Sequence, residues 1–207
     1  MEPAPDPGWH VVIPVKGGPT AKSRLRHSLD DGAVVAAVAH DTLDVAGQVV
    51  GPARVVVVTS EPSETAYARS SGHLVVADPG TGLDDACAAG VAAAHAAGAV
   101  RVAVLLGDHP ALRPAELEST LRAGELHPTF FVADADGTGT ALVGATGGHS
   151  PTLAFGPGSA ARHRDLGHAP LEVDAPGLRH DVDDEESLRW ALAHLTLGPR
   201  TRAALER

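Results

Sequence analysis

Val100-Arg101-Val102-Ala103-Val104-Leu105-Leu106-Gly107-Asp108-His109-Pro110-Ala111-Leu112 is the stretch that decides the fold. Its first part is a short run of apolar, mostly β-branched residues, the composition of a central parallel strand covered on both faces. The run stops at a glycine, an acid and a proline. Open α/β sheets bind ligands beyond the carboxyl ends of their strands, so Asp108 is expected on the rim of a site. Pro114 opens the next helix, with Glu116 in its first turn. The plainer alternative makes Asp108 only a turn residue.

Upstream, Trp9-His10-Val11-Val12-Ile13-Pro14-Val15 reads as the first strand, leading directly into Lys16-Gly17-Gly18-Pro19-Thr20-Ala21-Lys22-Ser23-Arg24-Leu25. Glycines let the backbone approach a ligand closely, and Lys16, Lys22 and Arg24 supply fixed positive charge, which is what a triphosphate needs. The Gly-x-x-x-x-Gly-Lys-Ser/Thr spacing of a P-loop is missing. A helix is expected over 33–48, ended by Gly51-Pro52, then a strand over 54–59, a helix over 63–70 and a short strand over 73–77. Asp78-Pro79-Gly80-Thr81-Gly82-Leu83 forms a turn, after which Asp84 or Asp85 can cap a helix running to residue 97. Cys87 within it reads as a small core residue. This alternation predicts a three-layer α/β/α sandwich with a mostly parallel, mixed sheet.

The second half changes character. Strands are expected over 129–132 and 140–145, joined by the polar turn Asp134-Ala135-Asp136-Gly137-Thr138-Gly139, in a hairpin or mixed pairing. Phe155-Gly156-Pro157-Gly158-Ser159 opens a short helix over 160–166 with Ser159 as its cap, and such a helix start suits a phosphate or carboxylate. Near the end, Asp181 and Asp183 point the same way if their segment is extended. Two such carboxylates repel unless a cation lies between them, and with Asp108 they would hold Mg²⁺, which prefers oxygen ligands. A competing reading makes Asp183 the cap of a last helix over 188–197, with Glu186 three residues on.

Length and composition narrow the class. The 207 residues contain no long polar linker, so a single domain over 9–197 is expected, with tails at 1–8 and 198–207. The amino end is proline-rich and acidic, unlike a signal peptide, and no 18-residue apolar run marks a membrane span. A lone cysteine excludes an internal disulfide framework and suits the cytoplasm. The formal charge of -10 argues against nucleic acid as a partner. The 12 histidines include no helical His-x-x-x-His pair, which argues against zinc.

Together these pieces resemble the guanylyltransferases of deazaflavin coenzyme F-420 biosynthesis, which act on phosphoenolpyruvate or 2-phospho-L-lactate. The resemblance rests on Ile13-Pro14-Val15-Lys16, Ala21-Lys22-Ser23-Arg24-Leu25, Gly107-Asp108-His109-Pro110-Ala111-Leu112, Gly137-Thr138-Gly139-Thr140, the stretch from Phe155 to His163, and Asp181-Val182-Asp183. It implies a nucleotidyltransferase fold of the nucleotide-diphospho-sugar transferase type and transfer of GMP from GTP to the acceptor's phosphate. By resemblance, Asp108, Asp181 and Asp183 bind Mg²⁺, and Lys16, Lys22 and Arg24 meet the triphosphate. Gly82 and Asp84 lie near the base, and Thr140, Gly156 and Ser159 hold the acceptor. Lys16, Lys22 and Asp108 form the catalytic set, and a downstream transferase would accept the product. Asp84 departs from the family's usual asparagine, and Gly17-Gly18-Pro19-Thr20 from its usual wording. Molybdenum-cofactor or sugar-phosphate nucleotidyltransferases are rivals on the same fold, but no Gly-Gly-x-Ser/Gly-x-Arg loop follows the first strand. A glycosyltransferase would carry a metal-binding Asp-x-Asp, whereas Asp134-Ala135-Asp136 reads as a turn. A non-catalytic nucleotide-binding regulator is the rival of another class.

Overall fold

The computed structural model describes residues 8–16 and 32–207. The strands are β1 Trp9–Pro14, β2 Val55–Val58, β3 Leu74–Val76, β4 Arg101–Leu105, β5 Thr129–Ala133, β6 Thr140–Ala145 and β7 Ala169–Pro170. The helices are α1 Gly32–Val50, α2 Pro62–Ser70, α3 Leu83–Ala96, α4 Pro114–Gly124, α5 Ser159–Asp165, α6 Pro176–Arg179, α7 Glu185–His194 and α8 Pro199–Leu205, with a 3-10 turn at Pro52–Arg54. The sheet runs β3-β2-β1-β4-β6-β5-β7. Pairing is parallel except where β6 lies antiparallel to both β4 and β5. The expected mixed, mostly parallel sheet is therefore present, and the hairpin is β5–β6.

Period-two alternation builds the three layers. Val11 and Ile13 of β1, with Ala103 and Leu105 of β4, face a core completed by Leu43 of α1 and Leu117 of α4. Val12, Val102 and Val104 face the opposite side, against Cys87 and Val91 of α3 and Ala160 of α5. Gly90 lets α3 sit close to this second face: a Cβ there would lie 2.3 Å from Val12 Cγ1 and 2.7 Å from Val58 Cγ2. Helix α1 is long and apolar enough to cross a membrane by length and composition, but 61% of its apolar window is buried inside the protein. It is a core helix here.

Several helix boundaries differ from expectation. Neither Asp84 nor Asp85 caps α3; Gly82 holds the cap position and no side chain bonds there. Ser159 is the first residue of α5 rather than its cap, because Gly158 takes the left-handed turn at φ 74°. Asp184, not Asp183, caps α7: its carboxylate accepts from the Ser187 N–H at 2.9 Å. Residues 198–207 are not simply a tail, since they contain α8. The carboxylate of Asp41 on α1 accepts the Arg200 and Thr201 N–H groups at 3.1 and 2.8 Å, so this helix is capped from across the molecule. The amino-terminal tail before Gly8 lies outside the described residues.

Candidate active site

At the carboxyl ends of β1 and β4 the chain must turn without losing its backbone partners. Beyond β1, the Val15 N–H donates to the Val58 carbonyl at 2.9 Å, which delivers the exposed Lys16 to the edge of the sheet. Beyond β4, the His109 N–H donates to Thr42 Oγ1 at 3.1 Å, tying the turn to α1. Asp108 sits between these anchors, with its Oδ1 3.4 Å from His109 Nε2.

A third segment reaches this corner from the far end of the sequence. The Val182 N–H donates to the Asp108 carbonyl at 2.9 Å, and the Val182 side chain is fully buried. With Val182 turned inward, its neighbours Asp181 and Asp183 turn outward together. Asp108, Asp181 and Asp183 each bring a carboxylate oxygen into one group whose atoms lie within 4.8 Å of one another. Hard oxygen donors at this spacing match a divalent cation such as Mg²⁺ or Mn²⁺. Asp183 thus belongs with the carboxylates, and the capping role passes to its neighbour.

Two clefts meet at these acids. One, of about 220 Å³, is lined by Lys16, Val35, Ala39, Gly107, Asp108 and Asp183. The other, of about 440 Å³, is lined by Thr140, Gly156 and Ser159 together with Asp108, Asp181 and Asp183. Leu83, Leu106, Asp108 and Asp183 border both. The arrangement can seat two anionic ligands side by side with the carboxylate group at their junction. Lys22 and Arg24, expected at the triphosphate, lie outside the described residues.

The wall of the larger cleft shows contacts that the sequence reading missed. Asp84 accepts from the Phe155 N–H at 3.0 Å, joining the first turn of α3 to the loop before α5. Arg162 donates to the carbonyls of Ala154, Phe155 and Pro157. Its own helix therefore clamps the loop that carries Gly156, which stands at φ 106°. The Arg-His pair that follows the glycine-rich loop was the signal available. Also lining this cleft, Asp134 Oδ1 and Oδ2 accept the Thr138 and Gly139 N–H groups at 2.9 and 2.8 Å, so Asp134 organises the β5–β6 turn as expected. Cys87 is buried on the inner face of α3, and burial with the nearby Asp84 and Asp78 pushes its thiol up to about 12, which keeps it protonated.

Comparison with known proteins identifies the family. The chain matches the MobA-like NTP transferase domain over residues 23–180. It is 45% identical over 208 residues to a phosphoenolpyruvate guanylyltransferase of Geodermatophilus obscurus, covering 95% of this chain and 94% of that one. A Streptomyces scabiei protein of the same name is 42% identical over 211 residues, with 96% of each chain covered. Among solved structures, the manganese complex of a Mycobacterium tuberculosis H37Rv protein shares the fold, with TM-score 0.54 and 20% identity over 90% of this chain and 98% of that one. A domain match across most of the sequence, joined to near full-length similarity, places the chain in the phosphoenolpyruvate guanylyltransferase family of MobA-like NTP transferases.

Proposed function

We propose that this enzyme transfers GMP from GTP to the phosphate of phosphoenolpyruvate, releasing pyrophosphate and giving enolpyruvoyl-2-diphospho-5'-guanosine. The observation that carries the reading is that the two clefts share Asp108 and Asp183, which group with Asp181 of the larger cleft. The smaller cleft, with Lys16 at its mouth, takes the triphosphate, assisted by Lys22 and Arg24. The base lies towards Gly82 and Asp84. The larger cleft takes the acceptor, held by Thr140, Gly156 and Ser159. The relatives named above share this activity in name, and their similarity spans the whole site.

The chemistry follows from charge. An acceptor phosphate oxygen attacks the α-phosphorus of GTP, the bond to the β-phosphate oxygen breaks, and pyrophosphate leaves with that electron pair. A phosphate nucleophile is already ionised near neutrality, so no protein general base is required. Both reactants are anions meeting in a protein of net charge -10, so orientation and charge neutralisation carry the catalysis. Asp108, Asp181 and Asp183 would hold Mg²⁺, which when bound supplies neutralising charge to phosphate oxygens. Lys16 and Lys22 stabilise charge on the leaving pyrophosphate, and Asp108 fixes the junction at which the reactants meet. The reaction belongs to the cytoplasm, and a downstream transferase would consume the activated product.

A direct test uses pyrophosphate release from GTP and phosphoenolpyruvate. Asp181→Asn is expected to lose most of the activity while keeping the wild-type circular dichroism spectrum and melting profile, and excess EDTA to abolish turnover until Mg²⁺ is restored. Full turnover in EDTA, or an active Asp181→Asn protein, would overturn the assignment of these carboxylates.

A further inference from the structure

Behind the acceptor wall lies a histidine that no step of the reaction uses. His163 of α5 is fully buried, held among Phe131, Phe155 and His168 at ring-centroid distances of 5.9, 5.5 and 5.4 Å. Both ring nitrogens have partners. Nε2 lies 3.1 Å from the Ala154 N–H, and Nδ1 lies 2.9 Å from Thr140 Oγ1. A backbone N–H can only donate, so Nε2 must carry the lone pair. In a neutral ring the proton then sits on Nδ1 and points at Thr140 Oγ1.

We propose that His163 is a positioning residue for the acceptor: its Nδ1–H fills one lone pair of Thr140 Oγ1 and leaves the threonine hydrogen to be donated into the cleft. Thr140 is itself buried and lines the larger cleft, so this contact orients its hydroxyl. A hydroxyl fixed as a donor suits an oxygen that bears no hydrogen, a carboxylate or a phosphate. The same ring, through Ala154, anchors the start of the loop that presents Gly156. One buried imidazole thus touches both Thr140 and the loop before Gly156. Burial and the neighbouring His168, with Arg162, push the ring down to about 4, against the opposing pull of Asp84 and of the Ser159 backbone. The assignment of Thr140 to the acceptor rests on the proposed function, whereas the tautomer does not.

The experiment therefore has two independent arms. Long-range proton–nitrogen spectra of the whole chain, labelled with ¹⁵N-histidine at neutral pH, are expected to show His163 as the Nδ1–H tautomer with a bare Nε2. An Nε2–H ring, or one doubly protonated, would overturn the proposal whatever the enzyme does. The kinetic arm compares two amides. His163→Gln reaches the Nε2 position and can still accept from Ala154, but it withdraws the donor from Thr140. His163→Asn places its amide nearer Nδ1 and can replace that donor. His163→Gln is expected to raise KM for phosphoenolpyruvate roughly tenfold, the scale of a lost hydrogen bond to an ionised ligand, with little change in KM for GTP. His163→Asn should show a smaller rise. Thr140→Val should raise the same KM, and adding His163→Gln to it should do little more, because the two act through one hydroxyl. Equal rises for both substrates, or effects of His163→Gln and Thr140→Val that multiply, would overturn the proposal. A wild-type enzyme inactive with phosphoenolpyruvate would instead contradict the functional reading, leaving the spectrum to decide the tautomer.

Discussion

Asp181 and Val182 show how far a single residue can be read from sequence. Alternation predicted that Asp181 and Asp183 share a face, and they do, because Val182 between them is buried and bonded to the backbone of Asp108. What the local sequence could not supply was the identity of the neighbouring cap. The sequence reading offered Asp183 as that cap, and only the three-dimensional position of Asp108 decides that Asp183 belongs with the carboxylates. His163 was legible only as part of a motif, since its two partners are 23 and 9 residues away. Its depressed pKa has a consequence for stability. The folded chain holds His163 neutral down to about pH 4, as burial also lowers His10 and His168. The unfolded chain binds a proton near the ordinary value of 6.5. Between these values the unfolded state carries more protons, so stability is complete above about pH 6.5 and drains as pH falls towards 4. Melting temperatures measured from pH 7 to 4.5 should fall, and with a shallower slope in His163→Asn than in wild type. Identical slopes would show that His163 is not held neutral by the fold.

At the scale of elements, the strands were the most legible because buried parallel strands announce themselves as valine runs, as in Val55-Val56-Val57-Val58. Helix α8 was the least legible. Gly198-Pro199 offers a start signal, but the carboxylate that caps the helix is Asp41, 159 and 160 residues away. Replacing it removes two charge-assisted bonds from helix amides, and Asp41→Ala should cost about 2 kcal/mol or more. Denaturant unfolding checks this; a loss below about 0.5 kcal/mol would mean α8 is held by its packing alone. Gly90 sets two effects against each other. Alanine there would gain up to about 1 kcal/mol in helix propensity. Its Cβ, however, would fall 2.3 Å from Val12 Cγ1, and overpacking of this kind costs about 1–3 kcal/mol. The clash is against two β-branched side chains with little freedom to move, so Gly90→Ala should destabilise the protein. A rise in stability would show that α3 can slide on the sheet.

Across the whole molecule, the sheet order explains why the candidate site gathers at one end of the sheet. β1 and β4 are parallel neighbours, so Lys16 and Asp108 leave the sheet at the same edge. β6 runs the other way, and its first residue, Thr140, starts at that edge. The fold class was readable from the alternation of strands and helices, but the antiparallel seat of β6 beside β4 required knowing its partners, since the turn at Asp134 left a hairpin or a mixed pairing open. Lys22 and Arg24 were read from the motif after β1, whereas the contacts that Asp84, Arg162 and His163 make around the larger cleft could not be read from the sequence. The most direct measurement is the product of the purified enzyme, by mass spectrometry, with Mg²⁺ and each of GTP, ATP, CTP and UTP against phosphoenolpyruvate, 2-phospho-L-lactate and 3-phosphoglycerate. The account predicts enolpyruvoyl-2-diphospho-5'-guanosine from GTP and phosphoenolpyruvate at the highest catalytic efficiency, with some product from 2-phospho-L-lactate. No nucleotidylated product from GTP with any acceptor, or a clear preference for another nucleotide, would contradict it.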